Sequence, residues 1–138
     1  MPNTPPNLMA NGTINVCRFV KLDTTTDNKC VQATANSKII GVAQEGSNKA
    51  PLSDVVSTNY AAEAGEELRL FGDGDVCLLE AGDVVTVGDL LKSDSVGRGV
   101  PVAGGSTVEY TGAVALQAAA AAGVKIQVQV QIGNLTTV

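Results

Sequence analysis

One segment near the C-terminal end alternates strictly between apolar and polar residues. It reads GVKIQVQVQIG and occupies residues 123–133. Because successive side chains of a strand point to opposite faces, this segment predicts a strand over residues 124–132 with one apolar face. The apolar face would consist of Val124, Ile126, Val128, Val130 and Ile132. The polar face would consist of Lys125, Gln127, Gln129 and Gln131.

The glutamines of this strand have two possible roles. Antiparallel sheets commonly expose one face to water, so these side chains can form a solvated outer face. Amide side chains also donate and accept hydrogen bonds without the desolvation cost of a charge, which suits a surface that contacts another protein. The sequence leaves both roles open, and Gln127, Gln129 and Gln131 are candidate partner-binding residues.

The composition favours a small β-protein. A chain of 138 residues is expected to form one domain that buries about two thirds of its unfolded surface. The core should be aliphatic, because the chain has two Phe, two Tyr and no Trp. Its 15 glycines, together with many Thr and Val, favour short strands and tight turns. We predict an all-β fold, mainly an antiparallel β-sandwich or barrel-like domain, with little helix.

The N-terminal residues are predicted to precede the domain. Pro5 and Pro6 disfavour a helix and a central strand, so residues 1–11 are expected to form an extended arm and residues 12–138 a single β-rich domain. The arm is either a disordered end or a segment that docks on a partner. On the second alternative, the candidate contact residues are Pro2, Pro5, Pro6 and Leu8.

Other strands and turns follow from local patterns. Strands are predicted at residues 13–22, 29–33 and 37–44, with Gly41 marking a bulge or a close contact in the last of them. The form AG-x-x-apolar-x-apolar occurs at residues 64–70, 81–87 and 122–128 and predicts a glycine turn that starts a strand each time. We also expect a strand within residues 88–94, and an edge strand at residues 100–103 because Pro101 cannot donate to a ladder. Residues 118–122 are expected to form a turn or a single helical loop, since five residues cannot sustain a helix alone.

Patterns typical of catalysis are scarce. The chain has no histidine, the commonest general base and metal ligand. Residues 72–75, GDGD, lack the lysine of a phosphate-binding loop and the ligand order of an EF-hand, so a hairpin turn is expected there. A carboxylate-based glycosidase is the weakest hypothesis, because aromatic residues that hold a sugar are few. Lys92 follows VGDLL, which is similar to the glycine-aspartate turns of lipoyl and biotinyl carrier domains, but those domains place the modified lysine at a hairpin tip. Lys92 is therefore expected to be an ordinary exposed lysine. We predict no enzymatic activity, no catalytic or metal site and no cofactor.

Charge and cysteine content narrow the choice of partners. A net charge of −5 without a cluster of Lys and Arg argues against nucleic acid. The first residues lack the features of a signal peptide, and no apolar run approaches 18 residues, so no membrane association is expected. Cys17, Cys30 and Cys77 are odd in number and widely spaced. They are therefore expected to be small buried thiols in a protein made in a reducing cytoplasm.

Five motifs occur in a fixed order over residues 39–132. They are IIGVA at residues 39–43, AGEELRL at 64–70, AGDVVTVGDLL at 81–91, GRG at 97–99 and TGAVALQAAAAAGVKIQVQV from residue 111. In this order they resemble the capsid cement, or decoration, proteins of tailed bacteriophages. The resemblance covers about two thirds of the chain.

This resemblance implies a β-rich fold without enzymatic activity. It implies binding to the outside of an icosahedral shell, at junctions between subunits of the major capsid protein, often as a homotrimer. The expected location is the exterior of the virion, after synthesis in the host cytoplasm. Two other hypotheses are a small structural protein of the phage tail or baseplate, and a carrier or carbohydrate-binding β-module.

Overall fold

The structure, a computed structural model, describes residues 8–43, 60–102 and 108–136. Within these ranges the chain forms thirteen strands and no helix, and so contains no helix that could cross a membrane. The strands are β1 (Leu8–Ala10), β2 (Ile14–Asn15), β3 (Phe19–Leu22), β4 (Lys29–Gln32), β5 (Gly41–Ala43), β6 (Tyr60–Ala62), β7 (Glu67–Leu68), β8 (Leu70–Phe71), β9 (Val76–Glu80), β10 (Leu90–Ser93), β11 (Gly99–Pro101), β12 (Val108–Ala115) and β13 (Lys125–Thr136).

The strands form three sheets. A five-stranded antiparallel sheet has the order β11-β10-β12-β13-β9. A six-stranded sheet has the order β7-β1-β4-β3-β5-β8 and is antiparallel except for the β1–β4 pair. Strands β2 and β6 form a two-stranded antiparallel sheet. The prediction of a mainly antiparallel all-β fold is confirmed.

The main core lies between the two large sheets. Phe19 of β3 and Val42 of β5 belong to one buried cluster with Leu79 of β9, Leu91 of β10 and Val128 of β13. All five side chains are fully buried. This core is largely aliphatic, as the composition predicts.

A second core covers the opposite face of the six-stranded sheet. Val20 and Ala43 directly follow Phe19 and Val42, yet they belong to a separate buried cluster that includes Ile14 of β2. Because neighbouring residues of a strand point to opposite faces, β3 and β5 are buried on both faces. The six-stranded sheet is therefore a middle layer at these strands.

The predicted arm is partly a strand of this middle sheet. Strand β1, which the sequence places in the arm, pairs with β4 and with β7. Ala10 is fully buried, and Leu8 packs half-buried against the second core. Residues 8–10 thus belong to a sheet, whereas Pro2, Pro5 and Pro6 lie outside the described residues.

Two of the strands predicted in the first third of the chain differ from the structure. The strand predicted at residues 13–22 is divided into β2 and β3, which lie in different sheets, because Cys17 adopts a left-handed backbone conformation with φ of 58°. The strand predicted at residues 37–44 is reduced to β5, and Gln44 lies outside the described residues. The strand predicted at residues 29–33 is confirmed as β4.

The three AG motifs do not behave alike. Gly65 and Gly123 have φ values of 86° and 93° and precede β7 and β13, as predicted. Gly82 is not in the left-handed region, and an added Cβ there would lie 2.5 Å from Oδ2 of Asp94. No strand follows it, and residues 82–89 remain a loop that makes one bridge, from Val85 to Ala119. The second AG prediction is wrong, because this glycine provides room for a neighbouring side chain and does not make a turn.

The remaining predictions concern two strands of the five-stranded sheet and the turns next to its strands. Strand β10 is confirmed, and β11 with Pro101 lies at the sheet edge, as predicted. The alanine-rich segment at residues 118–122 is a non-helical loop, which agrees with the predicted turn and not with a helical loop. The turn at residues 72–75 connects β8 of the six-stranded sheet to β9 of the five-stranded sheet, so it is a link between sheets and not the predicted hairpin.

Candidate functional site

Strand β13 buries only the middle of its predicted apolar face. Ile126, Val128 and Val130 are at most 1% exposed and belong to the main core. Val124 and Ile132, at the two ends of the pattern, are 40% and 41% exposed. The strand starts at Lys125 and continues to Thr136, beyond the predicted end.

A register shift explains the exposure of Ile132. Thr111 of β12 pairs with Gly133, but Ala113 pairs with Val130, so two residues of β13 oppose one residue of β12. This is the arrangement of a β-bulge, which disrupts the ladder and redirects side chains.

The turn at residues 72–75 holds this bulge from the other side. Oδ1 of Asp73 accepts a hydrogen bond from N–H of Ile132 at 2.9 Å, and N–H of Gly74 donates to the carbonyl of Val130 at 2.7 Å. The backbone of Ile132 is thus bonded at the bulge while its side chain is partly exposed. The link between the two large sheets therefore sets where the regular part of β13 ends.

Two of the predicted glutamines lie within rows of cross-strand neighbours. Gln129 of β13 pairs with Val76 of β9 on one side and with Val114 of β12 on the other. Gln127 pairs with Leu78 of β9. Side chains of directly paired residues share a face, so these residues lie together on the outer face of the five-stranded sheet.

Leu116 completes the second row. Its N–H donates to the carbonyl of Gln127 at 2.9 Å, next to the pair that joins Ala115 to Val128. We call the surface formed by these two rows the amide face. It is defined by Val76, Leu78, Leu116, Gln127 and Gln129, which are the residues of the two rows apart from the half-buried Val114.

The amide face is apolar around its two glutamines. Val76, Leu78 and Leu116 are 54%, 45% and 42% exposed, Gln127 is exposed and Gln129 is half-buried. None of the five residues carries a charge. A solvated outer face usually carries polar side chains on every strand, whereas exposed apolar residues clustered around hydrogen-bonding groups are typical of a surface that contacts another protein.

A charged row borders the amide face at one end. Glu80 of β9 pairs with Lys125 of β13 in the ladder. The carboxylate of Glu80 also forms an ion pair with the guanidinium of Arg18 at 3.1 Å, and both side chains are largely buried. This ion pair fixes the turn before β3 against the end of β9.

The structure does not unite all of the predicted contact residues. Gln131 is exposed but lies within the register shift, so it is outside the two rows of the amide face. Leu8 lies in the six-stranded sheet and faces the second core. Of the predicted contact residues that the structure describes, Gln127 and Gln129 lie side by side on one face.

The apolar part of the amide face was missed from the sequence. A signal was present, because residues 76–79 read VCLL, and four consecutive apolar residues predict a strand that is apolar on both faces. Cys77 and Leu79 supply the buried face, and Val76 and Leu78 supply the outer one.

The cysteines are buried thiols, as expected from their spacing. Burial, together with smaller contributions from the nearby Cys17 and Asp75, raises the pKa of Cys77 to about 12. Burial also raises the pKa of Cys30 to about 11. A thiol whose pKa is raised in this way stays protonated at neutral pH and is a poor nucleophile and a poor metal ligand.

Lys92 differs from the expectation of an exposed lysine. Its side chain is 22% exposed, and its Nζ lies 2.7 Å from Oε1 of Glu109, whose side chain is 4% exposed. Lys92 lies within β10 and not at a hairpin tip, the position that a carrier domain would require. Among the described residues, no group of three or more Cys, Asp or Glu side chains is placed to hold a metal ion.

Similarity to known proteins extends over nearly the whole chain. The model of the family described as structural cement protein (E217 gp24/Pam3 gp6) matches residues 2–131. No curated protein matches the chain. Among solved structures, the crystal structure of the head fiber gp8.5 N base in bacteriophage phi29 has a TM-score of 0.59 and 17% sequence identity. That match covers 91% of this chain and 92% of the fiber chain, and it shows a shared fold. The family match extends over nearly the whole chain, so the protein belongs to the family of phage structural cement proteins.

Proposed function

We propose that this protein is a non-enzymatic cement protein that binds the outer surface of an assembled phage capsid across subunit junctions and stabilises the shell. Its family supports a structural role in the capsid. The observation that carries the proposal is the amide face, where Val76, Leu78 and Leu116 are exposed beside Gln127 and Gln129. Burial of this surface against the major capsid protein would give the apolar contact and hydrogen bonds that hold the two together.

The physical basis of reinforcement is linkage. A protein that binds the assembled shell but not its separated subunits stabilises the assembled state by mass action. Selectivity for the shell arises when several modest contacts must be made at once, because only an assembled lattice presents several subunits in the required geometry. The proposed location is therefore the exterior of the virion, after synthesis in the host cytoplasm.

Self-association belongs to the same proposal. A homotrimer would present three amide faces to three neighbouring capsid subunits, and each additional face would increase the effective affinity. Pro2, Pro5 and Pro6, together with the half-buried Leu8, remain proposed contacts along a neighbouring subunit. Sedimentation equilibrium of the purified protein measures the oligomeric state directly.

The test uses shells that lack the protein, purified from the phage that encodes it. Wild-type protein is expected to co-sediment with these shells, to raise the temperature at which they disrupt, and to bind separated capsid subunits hardly at all. The variant carrying Gln127→Ala and Gln129→Ala should bind on the order of tenfold more weakly, the loss expected when one or two net hydrogen bonds are removed.

The matched control is Gln131→Ala, which removes an exposed amide from the same strand but outside the amide face. It is expected to bind shells nearly as well as wild type. Equal binding of wild type to separated subunits, or saturation without any gain in shell stability, would contradict the cement function. Binding to purified tails but not to shells would instead indicate a tail or baseplate protein.

A further inference from the structure

Among the described residues, no strand pairs with the outer side of β9 at residues 76–78, although Glu80 bonds to Cys17 and Ala81, just after β9, forms a bridge with Gly99 of β11. Strand β9 is the last strand of the five-stranded sheet. The carbonyl of Asp75 accepts a hydrogen bond from N–H of Val130, and N–H of Ala81 donates to the carbonyl of Val124. The backbone N–H and C=O groups of the odd-numbered residues in this segment therefore point towards β13. N–H of Glu80 donates in the opposite direction, to the carbonyl of Cys17 at 2.9 Å. By the alternation of an antiparallel ladder, the backbone groups of Val76 and Leu78 also point away from β13.

No described residue bonds to the outward backbone groups of Val76 and Leu78. The other edges of the two large sheets are protected or very short. Strand β11 carries Pro101, and β7 and β8 have two residues each. Such features are the usual means by which proteins prevent unwanted strand pairing. At residues 76–78, strand β9 has no proline and is not shortened. The two side chains on the outer face of the sheet there, Val76 and Leu78, are apolar and about half exposed.

We propose that β9 accepts an extended segment of a capsid subunit as an additional strand over residues 76–78. Main-chain hydrogen bonds to Val76 and Leu78 would supply affinity, and apolar side chains of the added segment would lie against the amide face beside Leu78. This inference rests on the proposed cement function and specifies which part of the chain binds the shell and in what form.

A second copy of this chain fits the edge poorly in the register centred on Leu78. Two copies of β9 paired antiparallel about Leu78 would place Val76 of one opposite Glu80 of the other. N–H of Glu80 is already bonded to Cys17, and its carboxylate is held by Arg18. The turn before β3 therefore occupies the position that the second copy would need.

The size of the edge also favours a segment of the shell. Three residues and two exposed apolar side chains can bury only a few hundred Å², well below the roughly 1,200–2,000 Å² of a stable protein pair. A contact of this size is effective as one of several made simultaneously on a lattice. An extended segment of a capsid subunit satisfies this condition, whereas an isolated dimer does not.

Hydrogen–deuterium exchange with residue-level mass spectrometry tests the proposal without any variant. In wild-type protein alone, the amides of Val76 and Leu78 should exchange rapidly, while Cys77 and Leu79, which are bonded to β13, are protected. On shells, exchange at Leu78 should slow by on the order of tenfold or more. If wild type binds shells and Leu78 stays unprotected, the added strand is rejected and the cement function stands. If wild type does not bind shells, both fail.

A pair of variants distinguishes the contribution of the backbone N–H of Leu78 to shell binding from that of its side chain. Leu78→Pro removes the outward N–H without removing a bond to β13, and Leu78→Thr keeps the N–H but loses the apolar side chain. Leu78→Pro should bind shells about tenfold more weakly than Leu78→Thr, the equivalent of one or two net hydrogen bonds. Equal binding of the two folded variants would overturn the proposal, as would protection of Leu78 in concentrated protein without shells, which would indicate self-pairing. If Leu78→Pro does not fold, the exchange measurement decides alone.

Discussion

Gly41 fixes the distance between two strands of the middle sheet. It begins β5, which pairs with β8. An added Cβ at this position would lie 2.5 Å from the carbonyl oxygen of Phe71 and 3.3 Å from Cβ of Leu70. The sequence pattern predicts a bulge or a close contact at Gly41, and the structure shows the close contact.

Replacing Gly41 with Ala should destabilise the fold. The new methyl group meets a backbone oxygen, which cannot move without shifting β8, and overpacking of this kind costs about 1–3 kcal/mol. Urea denaturation followed by circular dichroism measures the free energy of unfolding. The control is Gly133→Ala, where the added Cβ would meet Oγ1 of Thr111 at an ordinary 3.6 Å. A loss at Gly133 as large as that at Gly41 would contradict the explanation.

The buried cysteines should make stability fall in alkaline solution. In the folded state the pKa values of Cys30 and Cys77 are raised to about 11 and about 12, while the pKa of a thiol in the unfolded chain is about 8.5. The folded state therefore holds these protons more tightly, and its advantage is complete below the unfolded pKa and is lost as pH rises from there towards the folded values.

The measurement compares wild type with Cys77→Ala under reducing conditions. Other groups also titrate in this range, so the informative quantity is the difference between the two proteins as a function of pH. We expect the urea midpoint of wild type to fall more steeply between about pH 8.5 and 10.5 than that of the variant. Parallel curves would show that the thiol does not ionise on unfolding in this range.

At the scale of the element, β13 shows what a local pattern can and cannot predict. Its alternation correctly predicted a strand and the three buried residues Ile126, Val128 and Val130. The bulge was not predictable, because it depends on a hydrogen bond between Asp73 and Ile132, which are 59 residues apart. The same limit applies to the amide face, whose glutamines are evident in the sequence while their pairing with β9 is not.

Other predictions of strands were wrong for reasons that are also physical. The alternation at residues 13–22 predicted one strand, but Cys17 has a left-handed backbone conformation that divides it in two. A non-glycine residue adopts this conformation only when its surroundings impose it, so the sequence pattern does not reveal it. Gly82 shares its motif with Gly65 and Gly123, but close packing against Asp94 and not a turn requires it. A sequence motif identifies a glycine, but it does not reveal whether the fold requires its positive φ or its lack of a side chain.

Asp73 is expected to be required for the bulge. In Asp73→Ala the N–H of Ile132 loses its acceptor, and the loss of a hydrogen bond to a charged group lowers stability by about 1–3 kcal/mol. Faster hydrogen exchange at Ile132, measured by NMR, should accompany the loss. Asp73→Asn is the matched control, since its side-chain oxygen can still accept the bond. If exchange at Ile132 is unchanged in Asp73→Ala, the turn does not hold the bulge.

At the scale of the whole molecule, the sheets have different exposures. The six-stranded sheet is covered on both faces at β3 and β5, by the five-stranded sheet on one side and by the second core on the other. The five-stranded sheet has its inner face in the main core and its amide face exposed. The all-β class and the cement family were predicted from sequence. This layering was not, because it depends on which strands pair over long separations.

The absence of charge from the amide face leads to a prediction about the intact assembly. Shell binding through Val76, Leu78 and Leu116, with amide hydrogen bonds from Gln127 and Gln129, should be governed by apolar burial and not by ion pairs. Salt screens exposed charges over roughly 8–10 Å at moderate ionic strength but affects apolar contacts little. The dissociation constant for shells should therefore change by less than about threefold between about 0.05 and 0.5 M NaCl.

Co-sedimentation at a series of salt concentrations, on shells chemically fixed so that they stay intact, measures this dependence. Gln127→Lys is the informative comparison, because it places one charge in the centre of the amide face and should make binding both weaker and dependent on salt. Thr86→Lys, at an exposed position outside the amide face, controls for the change in net charge and should behave as wild type. A wild-type affinity that falls more than about tenfold across the series would show that charged residues, and not the amide face, dominate attachment to the shell.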